Sequence, residues 1–495
     1  MNFDSISEEF QTDKTYLNNA SVSVMPKTSI EAMKQFLIDY SEMGPDSPES
    51  EIFIKGLWEK TRTSIAKVVK CNPDEIIITQ SVTDGINIVA NGMKFENDSN
   101  IIIRGGEHEH HANYFPWLKL QKKIDVRSLP VDENGGFEYS DLKKVLDEKT
   151  KLVALSHGLY NSGLILPVKE IGKELQKENI PYFLDTAQTV GCIGEFDFVD
   201  TGCDFMSFNG SKWLCGPMGT GVFYCKRESS DLLEPSSIGG ETAETNENGG
   251  FEYSDLKKVL DEKTKLVALS HGLYNSGLIL PVKEIGNELQ KENIPYFLDT
   301  AQTVGCIGEF DFADTGCDFM SFNGSKWLCG PMGTGVFYCK RESSDLLEPS
   351  NIGGETAETN ENGELTYKEL PDRFQAGFRN YVGLAGMESS VTFLQNLGWN
   401  NIRNHIISLS NLFIDEIGKI SESKVFCPEN ESERTSIVSF EIEKQDPEKI
   451  VSELSQKGII IAKREIYEKP VLRISPHIYN TKDEILSLVE ELKKL

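Results

Sequence analysis

LDTAQTVG at 184–191 and SFNGSKWLCGPMGTGVFY at 207–224 decide the fold, and both stretches occur again, at 298–305 and 321–338. Each opens as a short apolar run that ends in polar residues and a turn. The first closes on Asp185. The second reaches Lys212 just past FMSF, then turns through WLCGPMGTG into another apolar run. Such runs, alternating with helical patterns, predict parallel strands covered on both faces. In an open α/β sheet the ligand crevice lies at the carboxyl ends of the strands, so Asp185, Gln188 and Lys212 are expected to converge. A lysine placed there can be desolvated, which lowers its pKa and frees the amine for Schiff-base formation. Taken singly, these residues have plainer readings: a solvated lysine after Gly-Ser, and an acid that caps a helix.

Working outward, the repeat is larger than these words. Residues 133–246 and 247–360 differ only at Lys173/Asn287, Val199/Ala313 and Ser237/Asn351, so 114 of the 495 residues are duplicated. The period is too long for a solenoid and two copies are too few for an array. Near-identity points to a recent duplication or an assembly error in the gene. Glu-Asn-Gly recurs at 133–135, 247–249 and 361–363. These are turn words, and loops are where insertions are best tolerated. The expected division is 1–132 as N-terminal segment and first part of the large domain, 133–246 as copy one with its lysine, 247–360 as copy two, and 361–495 as the end of the large domain plus a small C-terminal domain.

The remaining pattern alternates strand and helix. EIIIT (75–79) predicts a strand and Ser81–Gly92 a helix; NIIIRG (100–105) is a further strand. KLVALSH (151–157) and PYFLDTA (181–187) bracket a helix whose first position is Pro167, a residue with no amide hydrogen to leave unpaired. FMSFNG (205–210) and GVFYCK (221–226) complete four strands, which copy two repeats. Beyond 361 the spacing predicts one long helical stretch over 381–420, a strand at IVSFEI (437–442), a helix over 446–457, and strands at GIIIAKRE (458–465) and VLRISP (471–476). A final helix starts at Thr481, with Glu484 three residues on as a capping box.

The charge is −28, from 50 basic and 78 acidic residues, and both copies and the remainder are each acidic. Nucleic acid and anionic membrane are poor partners for such a surface. Of ten cysteines, eight are four positions counted twice, and only Cys71 and Cys427 lie outside the repeat. Without CxxC pairs or metal spacing, reduced thiols are expected. The acidic start, MNFDSISEEF, lacks the apolar core of a secretory leader, and no run approaches the ~18–20 apolar residues of a membrane span. The expectation is a soluble cytoplasmic protein.

Two more stretches bear on chemistry. QSVTDGIN (80–87) joins a strand to a helix, and free amides at a helix N-terminus hold anions, although Thr83 and Asp84 also serve as plain caps. Glu107-His108-Glu109-His110-His111 has the composition of a metal cluster. It follows a strand rather than riding on a helix, which favours ring stacking by one histidine and no metal.

Assembled, these residues resemble the class V aminotransferase family of pyridoxal-phosphate enzymes of fold type I, which includes cysteine desulfurases, selenocysteine lyases and isopenicillin-N-epimerase-like proteins. The resemblance runs from YLNNAS (16–21) to RISPHIYNT (473–481) once one copy is set aside. It implies an α/β fold with a mostly parallel seven-stranded large-domain sheet flanked by helices, a small α+β C-terminal domain, and one surplus copy of a large-domain segment. It implies pyridoxal 5'-phosphate, a small amino-acid substrate and a homodimer. Lys212 or Lys326 would carry the cofactor as a Schiff base and then move a proton. Asp185 or Asp299 would pair with the pyridine nitrogen, and Gln188 or Gln302 would contact the ring hydroxyl. His111 would stack on the ring and join the catalytic set. Thr83 and Asp84, with Ser211 or Ser325, would hold the phosphate. Arg473 would pair with the substrate carboxylate, beside Asn19 on the substrate side.

Three departures bear on the reaction. GIIIAKREIYEKPVLRIS (458–475) has no cysteine where desulfurases of the family carry their nucleophile. Tyr160 replaces the usual asparagine, as in the epimerase-like branch. Phe378 replaces a phosphate-binding threonine, with Arg379 beside it. The expected reaction is a lyase or desulfurase-like C–S elimination. Aminotransfer or epimerisation is the alternative, and a non-catalytic protein whose site the duplication disrupted is the third. Copy one leaves the ribosome first, which favours Lys212 as the residue in register.

Overall fold

A computed structural model describes residues 8–10, 12, 14, 16–104, 109–132, 135–236, 256–258, 260–466 and 469–494. The chain forms two compact units. Unit 1 is Met1–Gly239 with Glu348–Tyr381; unit 2 is Gly240–Leu347 with Val382–Leu495.

Unit 1 opens with helices α1 (Lys27–Glu42) and α2 (Pro48–Val69), followed by β1 (Ile76–Thr79), α3 (Val82–Gly92), β2 (Asn100–Arg104) and β3 (Asp125–Leu129). Copy one supplies α4 (Tyr139–Val145), β4 (Thr150–Ser156), α5 (Val168–Lys177), β5 (Tyr182–Asp185), β6 (Phe205–Asn209) and β7 (Gly221–Cys225). These strands make one seven-stranded sheet in the order β1-β7-β6-β5-β4-β2-β3. The run from β3 to β6 is parallel, and β7 lies antiparallel to both β6 and β1.

Successive strand residues point to opposite faces, so the continuous apolar runs feed two cores. Ile102, Val153, Leu155, Leu184 and Met206 pack with Val168, Ile171 and Leu175 of α5. Ile101, Ile103, Ala154, Phe183 and Phe223 pack with Val82, Ile86 and Val89 of α3 and with Trp117. The alternating strand–helix pattern therefore gives the mostly parallel, doubly covered sheet it predicts.

The chain leaves unit 1 after Gly239 and returns at Glu348. A 114-residue repeat can be framed anywhere along its period, and the two units divide at Gly239/Gly240 and at Leu347/Glu348. The word at 247–249 lies outside the described residues. The returning strand of chain is fastened to the N-terminal segment. Asn87 brackets Ile352, donating Nδ2 to its carbonyl and accepting its N–H, both at 3.0 Å. Lys119 Nζ donates to Pro349 O at 3.0 Å, and Asn91 Nδ2 to Ser350 O at 2.9 Å. A two-stranded ribbon follows, β12 (Ala357–Thr359) with β13 (Leu365–Tyr367).

In unit 2, copy two repeats its four strands as β8 (Val267–Ser270), β9 (Tyr296–Asp299), β10 (Phe319–Asn323) and β11 (Gly335–Cys339), with helix α6 (Val282–Lys291). They form a separate sheet, β11-β10-β9-β8. Helices α7 (Tyr381–Leu397) and α8 (Trp399–Ile417) come next. Then β14 (Ser423–Val425), β15 (Val438–Ile442), α9 (Pro447–Gln456), β16 (Ala462–Ile466), β17 (Lys469–Ile474) and α10 (Lys482–Leu492) make a small α+β layer. Copy two is joined to it by Thr435 N–H donating to Gly277 O and Ile279 N–H donating to Glu433 O, each at 2.8 Å.

Local differences from the sequence reading have local causes. Pro167 is the residue before α5 rather than its first position. The 381–420 stretch breaks at Gly398, whose φ of 83° no helix continues. The strand expected from Gly458 begins only at Ala462. The capping box at Thr481 is formed, Glu484 N–H donating to the threonine hydroxyl at 3.2 Å. Among the described residues no helix is long and apolar enough to cross a membrane.

The tightest helix–sheet approach tests this packing. A Cβ at Gly85 of α3 would lie 2.2 Å from Ser207 Oγ and 2.8 Å from Ser207 Cβ of β6, whereas one at Gly56 of α2 meets nothing within 4 Å. Gly85→Ala is expected to destabilise unit 1 by about 1–3 kcal/mol. Gly56→Ala should instead stabilise by roughly 0.5–1 kcal/mol. Chemical-denaturation midpoints of the two variants check both signs.

Candidate active site

The carboxyl ends of the parallel strands line up by register. Ser156 of β4 pairs with Asp185 of β5, and Asp185 with Ser207 of β6. Asp185 is 6% exposed and Lys212, three residues past β6, is 7% exposed. Burial draws the lysine below its usual range, and the Asp185 carboxylate opposes that shift. Burial also raises the Asp185 carboxyl, countered by the Ala187 N–H on Oδ1 at 2.9 Å and by Lys212. The expected convergence of acid and lysine is present in copy one.

Gln188 stands beside them. Its Nε2 donates to Ala20 O and its Oε1 accepts from Trp213 Nε1, both at 3.0 Å. Ser23 N–H donates to Ser211 O at 2.9 Å. These bonds bring the YLNNAS segment, with half-buried Asn19, to the lysine loop. Ser211 itself is buried.

The N-terminus of α3 closes the opposite side. Ser81, not Thr83 or Asp84, caps it, its hydroxyl accepting the Asp84 N–H at 3.2 Å. Asn209 Oδ1, at the end of β6, accepts the Val82 N–H at 2.6 Å. Asp84 turns back to accept the Gln80 N–H at 3.1 Å and the Asn351 amide at 3.4 Å. Burial raises the Asp84 carboxyl, with those donors and Arg379 opposing. Thr83 is buried. Gly377 packs directly over it: at φ +71° a Cβ there would stand 3.2 Å from Thr83 Cβ and 2.7 Å from Ser81 Oγ. Only a residue without a side chain fits that approach.

The histidines separate sharply. His111 is exposed, its ring stacked on Phe115 at 4.6 Å and 11°. His110 is the one that faces Lys212. Burial, then the positive charges of Lys212 and His111, pull its imidazole down to about 4. Tyr160 sets its ring edge-on to His110 at 5.1 Å and 88°. The resemblance implies His111 for ring stacking, whereas half-buried His110 is the one beside Lys212; the two adjacent histidines are told apart only by their exposure. Glu109, which the sequence offers only as part of a metal-like cluster, is 2% exposed beside Asp185. Glu107 and His108 lie outside the described residues. Among the described residues no group of three or more His, Cys, Asp or Glu is placed to hold a metal ion.

Copy two presents the same residues differently. Asp299, Ser325 and Lys326 are exposed and Gln302 is half-buried, its Oε1 accepting from Trp327 Nε1 at 2.9 Å. Phe337 is 43% exposed where its counterpart Phe223 is 2% exposed under α3. Arg473 belongs to unit 2, where its Nη1 donates to Tyr274 O of copy two at 2.9 Å.

The model of the aminotransferase class-V family matches residues 15–248 and again 241–488. The chain belongs to that family. Its two matches are what a duplicated segment shared by two overlapping parts of one domain produces. Among curated relatives, the probable cysteine desulfurase of Methanothermobacter thermautotrophicus is 31% identical over 263 residues, 53% of this chain and 65% of that protein. The probable cysteine desulfurase of Halalkalibacterium halodurans is 30% identical over 256 residues, 50% of this chain and 62% of that protein. The chain therefore spans less than two thirds of the length of either. The cysteine desulfurase of Haloferax volcanii is 24% identical over 362 residues, 69% of this chain and 84% of that protein.

The family's cofactor is pyridoxal 5'-phosphate, and the residues of unit 1 fit it. A desolvated lysine faces a buried carboxyl, an imidazole stands beside them, and a helix N-terminus with a buried threonine lies under a glycine approach.

Burial of neutral imidazoles sets an acid limit on this unit. His157, packed against Phe196 at 4.9 Å, is pulled down to about 4 by burial. A folded-state pKa below the unfolded value gives stability that is complete above the unfolded pKa and lost as pH falls through the folded one. His157→Phe should therefore leave the melting temperature near pH 7.5 little changed and raise it near pH 5, relative to the parent. A parallel loss at both pH values would sink this assignment.

Proposed function

We propose that the chain is a pyridoxal-phosphate enzyme that eliminates sulfur from a small amino acid, with its cofactor held by Lys212 of copy one. The observation that carries this is the buried Lys212–Asp185 pair in unit 1 against the exposed Lys326 and Asp299 of unit 2. The relatives named above are cysteine desulfurases and probable cysteine desulfurases, which supports the class of reaction.

When bound, the cofactor supplies an electron sink for the substrate's α-carbon. The chain's own residues would do the rest. Lys212 Nζ would bond the cofactor and, once released, take the α-proton. Asp185 would hold the ring nitrogen as a cation, and Gln188 would contact the ring hydroxyl. His110, neutral and half-buried, is the better placed of the two histidines to stack. The α3 N-terminus with Thr83, Asp84 and Ser211 would hold the phosphate, with Arg379 neutralising charge nearby. Asn19 would sit on the substrate side. With no cysteine in 458–475, the sulfur would leave as free sulfide rather than as a protein persulfide. A homodimer and a cytoplasmic setting belong to the same reading.

A second reading, cofactor binding without turnover, is favoured by one observation. Arg473, the candidate for the substrate carboxylate, already donates its Nη1 to Tyr274 O of copy two at 2.9 Å.

Borohydride reduction of the cofactor-supplied protein followed by peptide mapping is expected to place the pyridoxyl group on Lys212. Val199 against Ala313 gives the two otherwise alike peptides different masses. Label chiefly on Lys326 would overturn the assignment, and Lys212→Ala should abolish labelling where Lys326→Ala spares it. His110→Phe should weaken cofactor retention on desalting more than His111→Phe. Sulfide release from cysteine then separates the enzyme from a labelled protein that does not turn over.

A further inference from the structure

Glu109 lies between the β2 and β4 strand ends and belongs to none of the roles above. Its carboxyl is buried. Oε1 accepts two hydrogen bonds, from Ser156 Oγ at 2.5 Å and from the His110 N–H at 3.0 Å. Oε2 is buried and has no hydrogen-bond partner among the described residues. Ser156 is the strand neighbour of Asp185, so the two carboxyls occupy one enclosed row with Arg104 at one end and Lys212 at the other.

We propose that Glu109 is a positioning residue for Asp185: its protonation state sets the negative charge that Asp185 presents to the ring nitrogen of the bound cofactor. The proposal rests on the cofactor site assigned above. Two carboxyls sharing a low-dielectric pocket cannot both ionise freely, so one holds a proton. Asp185 has the better claim to the charge, with the Ala187 N–H and Lys212 against it. Burial pushes Glu109 up to about 7, and the negative charge of Asp185 adds to that, while Arg104 and the Ser156 and His110 donors oppose. A protonated Glu109 would place its hydrogen on Oε2, the oxygen that accepts no hydrogen bond from the described residues. When that proton is lost, a second negative charge stands beside Asp185 and tightens its hold on a positive ring nitrogen. Among the described residues, the charged and titratable groups facing Glu109 are Arg104 from β2, Asp185 from β5 and the adjacent His110, with Lys212 beyond Asp185.

Difference infrared spectroscopy of the full-length apoprotein reads the Glu109 carboxyl as the protonated-carboxyl signal lost in Glu109→Gln. That signal is expected to titrate near pH 7, and Asp185→Asn should lower its midpoint by about one pH unit, the scale at which two sites titrate as a pair. Should Glu109→Gln fail to fold, Ser156→Ala in the apoprotein serves instead, where loss of a donor to Oε1 should raise the midpoint. A midpoint indifferent to Asp185→Asn means uncoupled carboxyls and overturns the proposal. In the cofactor-loaded protein, the visible band should change across pH 7 in the parent and not in Glu109→Gln. The same change in both also overturns it. Absence of pyridoxyl label on Lys212 would instead defeat the reading of the site, and the apoprotein titration would still judge the coupling.

Discussion

One set of N-terminal strands serves two nearly identical acceptors, and the rest of the structure follows from that shortage. β1 pairs with β7, and β2 with β4, through residues that occur once in the chain. Copy two has strands of the same sequence, β8 and β11, at the ends of its own four-stranded sheet. A strand row is completed by main-chain hydrogen bonds, which any matching partner can make, so sequence gives the two acceptors almost equal standing. Whichever copy takes β1, β2 and α3 gains the closed pocket. In unit 1 that copy is the first, and its Lys212 and Asp185 are buried where Lys326 and Asp299 are not.

Loop closure does not break this near-degeneracy. Either frame requires one excursion of about the same length, and closure cost grows by only ~0.6 kcal/mol per doubling. The few sequence differences act on it instead. Val199 packs against the core of unit 1, whereas Ala313 is exposed. Two extra carbons at that half-buried position are worth on the order of 1 kcal/mol. Asn351, which stands where copy one has Ser237, donates to Asp84 at the N-terminus of α3 from the returning chain. The order of synthesis points the same way, because the N-terminal segment meets copy one before copy two exists. The result is a unit 1 whose sheet is completed by copy one and whose return segment comes from the end of copy two.

Burial does electrostatic work in this site as much as packing. Lys212 loses proton affinity because water is removed around it, and Asp185 restores part of it. His110 stays neutral for the same reason. Copy two holds the counterparts of the acid and the lysine, Asp299 and Lys326, in the open, where the solvent screens them. Residue identity is therefore insufficient for this chemistry; enclosure is what perturbs the groups.

The sequence by itself determined the strand–helix alternation, six of the seven strands of unit 1, a sheet covered on both faces and the family, because apolar periodicity is a local property, whereas Asp125–Leu129 has no apolar run to announce its strand. It determined equally that the lysine motif is present twice. Tertiary structure alone decided which copy is enclosed, that His110 rather than His111 faces the lysine, that Glu109 shares the pocket of Asp185, and that Arg473 is held by copy two. Adjacent histidines and duplicated strands have the same local propensities. What separates them is the set of neighbours that removes their water, and that set is assembled from residues far apart in the chain.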